Sequence, residues 1–165
     1  VFAAACTYGA DPETVTLALK SAPQITHRLE VKPGPNDSVL VDDAYNSNPK
    51  GFTSALETLD LLVREGGRRI VVTPGMVELG ADHDEEHTRL GKIAAEHADV
   101  LLAIAPERMK TFVSAYQEAA GEREELHTFP RFAEADIWLQ ENTKAGDVVL
   151  LENDLPDLYE RKLPI

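Results

Sequence analysis

Val39-Leu40-Val41-Asp42-Asp43-Ala44-Tyr45-Asn46-Ser47-Asn48-Pro49 is the stretch on which the reading of this chain turns. An apolar run ends in two carboxylates, passes an aromatic ring and two amides, and stops at a proline. Proline suits the first turn of a helix, and Asn is a strong cap just before it. After Pro49, apolar residues recur at helical spacing (Phe52, Ala55, Leu56, Leu59, Leu62, Val63). The stretch therefore reads as strand, polar loop and capped helix. In an open α/β sheet such a junction lies at the carboxyl ends of the strands, where ligands bind.

Working outward, strands and helices alternate. Residues 2–8 and 12–22 read as two short helices: Gly9 ends the first, Asp11 caps the second, and Val15, Ala18, Leu19 and Ala22 mark one face. His27–Lys32 alternates, with Leu29 and Val31 on one side, and reads as a half-buried strand. Pro33-Gly34-Pro35-Asn36-Asp37 folds it back, antiparallel, onto Ser38–Asp42. A helix over 49–65, a strand at Arg69–Thr73, a helix over 85–97 capped by Asp84 and a strand at Asp99–Ala105 follow. Pro106 starts the next helix, Leu126–Phe129 is a short strand, 131–142 a weaker helix, and Val148–Leu151 the last strand. Strands apolar throughout, alternating with helices, indicate a parallel sheet covered on both faces. The expected fold is α/β: a Rossmann-like three-layer sandwich with a mostly parallel sheet of about six strands and an antiparallel N-terminal strand. Right-handed crossovers then gather Asp42–Asn48, Pro74–Met76, Pro106, Pro130 and Glu152–Asp154 on one rim.

Composition limits the function. The 165 residues are 43% hydrophobic and 27% charged, with a formal net charge of −13. Such acidity argues against a nucleic-acid partner, whose affinity comes from Lys and Arg. No apolar run approaches the roughly 20 residues that span a bilayer, so no membrane partner is expected. The single Cys6 excludes an internal disulfide and suits a reducing cytoplasm. The chain opens without Met and with no signal peptide, which suggests a piece of a longer protein. It holds no G-x-x-x-x-G-K-[ST], no G-x-G-x-x-G after a strand and no G-x-S-x-G. Asp82-His83-Asp84-Glu85-Glu86-His87 carries metal-ligand types, but His83 and His87 straddle the expected cap and need not share a face, so no metal is assigned. His27, His97 and His127 read as surface or edge residues without a titratable cluster.

The opening stretch resembles the Mur ligases, whose C-terminal domain carries D-D-x-Y-N-[AS]-N-P in the branch that adds D-alanyl-D-alanine. Three more motifs follow in order. His27-Arg28-Leu29-Glu30 resembles the arginine-containing start of that domain, Gly75-Met76-Val77-Glu78-Leu79-Gly80 its G-x-M-x-E-L-G, and His87-x-x-x-Gly91 the His and Gly beyond. Residues 1–26 resemble the tail and linker of the family's central ATPase domain, and 27–165 its C-terminal domain. The resemblance implies the lid of an ADP-forming amide ligase of peptidoglycan precursor synthesis. There ATP, with Mg²⁺, converts a carboxylate to an acyl phosphate that an amine attacks. The implied partners are a UDP-muramoyl-peptide, an amino acid or dipeptide, and the N-terminal and central domains of the same protein. By matched position, Asp43 bonds the ribose, Asn46 sits against the adenine, Arg28 reaches toward the phosphates, and Tyr45 is either wall or core. No catalytic residue is assigned within the chain itself.

Two departures from the family pattern matter. The family's G-D-M-x-E-L-G loses its Asp at Pro74-Gly75-Met76, and the late K-G-S is replaced by Glu152-Asn153-Asp154. Glu152, Asn153 and Asp154, with Asp157, either hold an amino substrate or form a solvated turn. A ligase with another amino substrate and a non-catalytic docking domain both remain open. A receiver-like signalling domain does not fit, because Pro74, Ala105 and Glu152 stand where it needs an Asp and a Lys.

Overall fold

The computed structural model describes residues 1–123 and 125–153. Its elements, in order, are α1 (Phe2–Thr7), α2 (Pro12–Lys20), β1 (Glu30–Pro33), β2 (Val39–Asp43), α3 (Pro49–Leu62), β3 (Arg69–Thr73), α4 (His83–His97), β4 (Val100–Ile104), α5 (Lys110–Ala120), β5 (Leu126–Phe129), α6 (Phe132–Asn142) and β6 (Val148–Glu152). The six strands form one sheet in the order β1-β2-β6-β3-β4-β5, with β1 antiparallel to β2 and all other pairs parallel. This is the expected α/β sandwich.

Topology explains which helix covers which face. The chain steps outward from β2 through β3 and β4 to β5, so right-handed crossovers place α3, α4 and α5 on one side. Their buried Phe52, Leu56, Leu59, Leu90, Phe112 and Tyr116 meet Val41, Val71, Leu101 and Leu150 of the strands. The return from β5 to β6 runs the other way, and α6 lies on the opposite face with Ala135 and Leu139 against Ile70, Val72, Leu102 and Val149. Asn48 caps α3 as expected: its side chain accepts from Lys50 N at 3.1 Å and Gly51 N at 3.0 Å. Asp11 caps α2 by accepting from Thr14 N at 2.9 Å.

Several expectations are corrected. Strand β1 begins at Glu30 rather than His27, because His27 and Leu29 adopt left-handed φ values of 57° and 50° that no strand accommodates. Its sheltered side is Glu30 and Lys32, whereas Leu29 and Val31 remain exposed. Lys32 points inward because it meets Asp42, with Nζ 2.6 Å from Oδ2. Helix α4 starts at His83, so Asp84 is not its cap and His83 and His87 share a face, their ring centroids 4.1 Å apart. Pro106 opens only a 3₁₀ turn, 106–108, because Ala105 at φ 48° redirects the chain before α5. Of the four residues expected on the inner face of α2, Val15 alone is buried.

Helices α4 and α5 approach closely at Gly91, where an added Cβ would collide with the Phe112 carbonyl. That backbone cannot give way as a side-chain tip would. Gly91→Ala should therefore destabilise the chain by about 2 kcal/mol or more, read as a lowered urea midpoint at unchanged m-value. A wild-type midpoint would show that the two helices separate freely.

Candidate functional site

Successive residues of a strand point to opposite faces, so the two carboxylates ending β2 part company. Asp42 turns toward the α6 face and Asp43 toward the α3–α5 face. Asp42 is buried, and burial by itself would raise its pKa; Lys32 at 2.6 Å and His27 Nδ1 at 2.9 Å outweigh this and hold it below the usual value. The Ala44 N–H also donates to it, at 3.2 Å. His27 is thus a hydrogen-bonded partner of a carboxylate and not an isolated surface residue. His97, 2.6 Å from Asp60, and His127, 3.4 Å from Glu125, also have carboxylate partners.

Asp43 lies in a different environment. It is 8% exposed, accepts from Leu29 N at 3.0 Å through Oδ1, and is pushed above the ordinary carboxylate range chiefly by burial. Arg28 lies over the Tyr45 ring, 4.5 Å from its centroid, and its Nη1 donates to the Asn46 carbonyl at 2.7 Å. Tyr45 is 68% exposed, so it forms part of a wall rather than the core, and Asn46 is exposed beside it. The structure thus brings Arg28, Asp43, Tyr45 and Asn46 together on the rim.

Glu152 pairs in register with Asp43 across the parallel β2–β6 ladder. It is 1% exposed, and no hydrogen bond of ordinary geometry reaches either carboxyl oxygen. Burial foremost, with Asp43 alongside, pushes it up to about 8. Asn153 leaves the strand at φ 57° and ties the rim together. Its Nδ2 donates to the Gly75 carbonyl at 2.8 Å and its Oδ1 accepts from Ser47 N at 3.3 Å. Asp154 and Asp157 lie outside the described residues.

The sequence did not announce His87 as the clamp on the neighbouring loop. It is fully buried, and its Nε2 accepts from Met76 N at 2.9 Å, which places the ring proton on Nδ1. Burial, with His83 adding to it, lowers its pKa to about 4, so the ring is neutral at pH 7. The i, i+4 spacing to His83 was visible, but the helix start that makes it matter was not.

On the α6 face the rim encloses a cavity of about 170 Å³. Val72, Ile104, Phe132 and Leu151 wall it, and the His27–Asp42 pair stands at its edge. The ligand atoms of His27, Glu30 and Asp42 lie within 4.8 Å of one another. The Lys32 ammonium, 2.6 Å from Asp42 and 3.5 Å from Glu30, already neutralises that group. With an imidazole in the set it does not fit Mg²⁺, which prefers oxygen ligands and retained waters.

An acidic rim loop on a mostly parallel sheet, closed by Asn153 and backed by a buried histidine, places the chain among the α/β domains that carry a site at their strand ends. Residues 27–152 match the family described as Mur ligase, glutamate ligase domain, and the chain belongs to that family. Among curated relatives, the UDP-N-acetylmuramoyl-tripeptide--D-alanyl-D-alanine ligase of Mycobacterium bovis is 38% identical over 90 residues, covering 52% of this chain and 18% of that protein. The ligase of the same name from Escherichia coli is 29% identical over 86 residues, with the same two coverages. A MurF ligase from Thermotoga maritima in complex with ADP shares the fold, with a TM-score of 0.70 at 24% identity over 93% of this chain and 33% of that one. A crystal structure of MurF from Acinetobacter baumannii gives 0.63 at 27% identity over 91% and 31%. The chain thus spans 18% of the length of these curated relatives. No helix among the described residues is long and apolar enough to cross a membrane.

Two outcomes are expected. Asn153→Ala leaves the buried Gly75 carbonyl without its donor and should cost about 1–3 kcal/mol in chemical denaturation. A folded pKa of about 8 against an ordinary 4.5 means that the folded state keeps the Glu152 proton longer than the unfolded state does. Stability from this group is therefore complete below pH 4.5 and declines until about pH 8. Glu152→Gln should remove that decline, so its stability advantage over wild type grows between those limits to a few kcal/mol. Parallel stability–pH curves for the two proteins would contradict this.

Proposed function

We propose that this chain is the closing domain of an ATP-dependent amide ligase that adds D-alanyl-D-alanine to a UDP-muramoyl-peptide. Membership of the family, and the names carried by its relatives, support this reading. The observation that carries it is the rim loop, where an exposed aromatic ring, an exposed amide and a carboxylate converge within Asp43–Asn46. A carboxylate accepts from ribose hydroxyls, and an amide offers both donor and acceptor to a base edge. Arg28, now stacked on Tyr45, would swing from the ring to meet phosphate. ATP supplies the energy for carboxylate activation, and Mg²⁺ would ride with its phosphates rather than in a protein cage of this chain. Closing the lid excludes water from a hydrolysable acyl phosphate. Residues 1–26 would belong to the preceding central domain, and a cytoplasmic location would suit these substrates.

One observation favours a second reading, a ligase of the same family with another amino substrate. Where the family pattern has K-G-S, this chain places two buried residues, Glu152 and Asn153, beneath the rim. They would shape the floor of the amino-substrate site.

Titrating the 165-residue chain with ADP·Mg²⁺ should shift the amide signals of residues 43–48, and Asp43→Ala should weaken binding about tenfold. Unmoved loop signals at millimolar nucleotide would reject the reading. The chain has no phosphate loop, so it should show no ATP hydrolysis by itself in a phosphate-release assay.

A further inference from the structure

Glu152 is at odds with its surroundings if it is ionised. It is 1% exposed, has no hydrogen-bond donor in ordinary geometry on either oxygen, and stands next to a second carboxyl on the adjacent strand. A buried carboxylate without a partner is among the costliest groups in a protein. Two adjacent carboxyls avoid that cost by keeping one proton between them.

The neighbourhood decides which of the two keeps it. Asp43 accepts the Leu29 N–H at 3.0 Å and feels the Arg28 charge, and both favour its ionised form. Glu152 has neither advantage. From the rim loop Ser47 faces it with a hydroxyl. From α4, His87 is neutral and spends Nε2 on Met76. Among the described residues no Lys or Arg reaches its oxygens. An acid thus stands in register next to Asp43 on the adjacent strand.

We propose that Glu152 is a positioning residue: it remains a neutral acid, donates its proton to the Asp43 carboxylate, and so holds Asp43 ionised and aimed at the rim. A salt bridge from Lys would orient Asp43 by charge; Glu152 orients it by a hydrogen bond. Asp43 is then fixed by the Leu29 N–H and the Glu152 O–H, with lone pairs left over for hydroxyl donors from outside. The arrangement is pH-sensitive, since loss of the Glu152 proton sets two buried anions side by side. Its functional half rests on the reading of Asp43 as the ribose contact.

Side-chain carboxyl ¹³C NMR on the 165-residue chain tests the pair without any nucleotide. Glu152 should titrate near pH 8; a midpoint in the ordinary carboxylate range would overturn the proposal. Glu152→Gln keeps a donor, so the Leu29 amide signal should stay in place, whereas Glu152→Ala should move it. An unmoved Leu29 amide in the alanine variant would also overturn it. In ADP titrations, wild-type affinity should fall about tenfold as pH passes from 7 to 9 while Glu152→Gln stays within about twofold. Equal pH dependence in the two proteins counts against the positioning role. If wild type binds no ADP at any pH, the nucleotide reading fails, and the carboxyl midpoint and Leu29 amide still decide the pair.

Discussion

The rim depends on one constraint: β6, the last described strand, enters the sheet between β2 and β3. Its place there sets the acidic loop after β2 and the glycine loop after β3 one strand apart, with the end of β6 between them. Its insertion supplies backbone partners to both strands at once, with Val148 opposite Val39 on one side and Arg69 on the other. It also delivers Glu152 beside Asp43 and Asn153 between Ser47 and Gly75. The left-handed turn at Asn153 lets a single side chain reach both loops. Asn adopts that conformation more readily than most residues.

The alternation of side chains along β2 separates two carboxylates that are neighbours in sequence. Asp42 faces a lysine and a histidine, so it stays charged and anchors the edge strand β1. Asp43 faces a backbone N–H and another acid, so desolvation governs it. One residue of strand register converts an ion-pair anchor into a group poised at a rim. The linker before β1 is held by the same two residues, through His27 on Asp42 and Leu29 N on Asp43.

Much of this was legible in the chain. The β3, β4 and β6 segments were readable because a central parallel strand is apolar along nearly its whole length, as Ile70-Val71-Val72, Leu101-Leu102-Ala103 and Val148-Val149-Leu150 are. Asn48-Pro49 marked the start of α3 because capping is a local interaction. The errors came where distant partners override local pattern. Leu29 and Val31 suggested an inward face for β1, yet Lys32 and Glu30 are the sheltered pair because Asp42 lies across from them. His83 and His87 were separated by an expected cap that the helix does not use.

The sequence by itself determined the alternation of strands and helices, the capped junction after Asp43 and the ordered motifs that resemble the Mur ligases. Those features are set by residues within a few positions of one another, so local propensity and hydrophobic period suffice to reveal them. Only the tertiary structure decided that Glu152 lies against Asp43, that Asn153 joins two loops, and that His87 holds Met76. The contacts of Glu152 and Asn153 join segments separated by helices, and the strand order brings them together; His87 meets Met76 because α4 starts at His83 and turns that residue back onto the loop after β3.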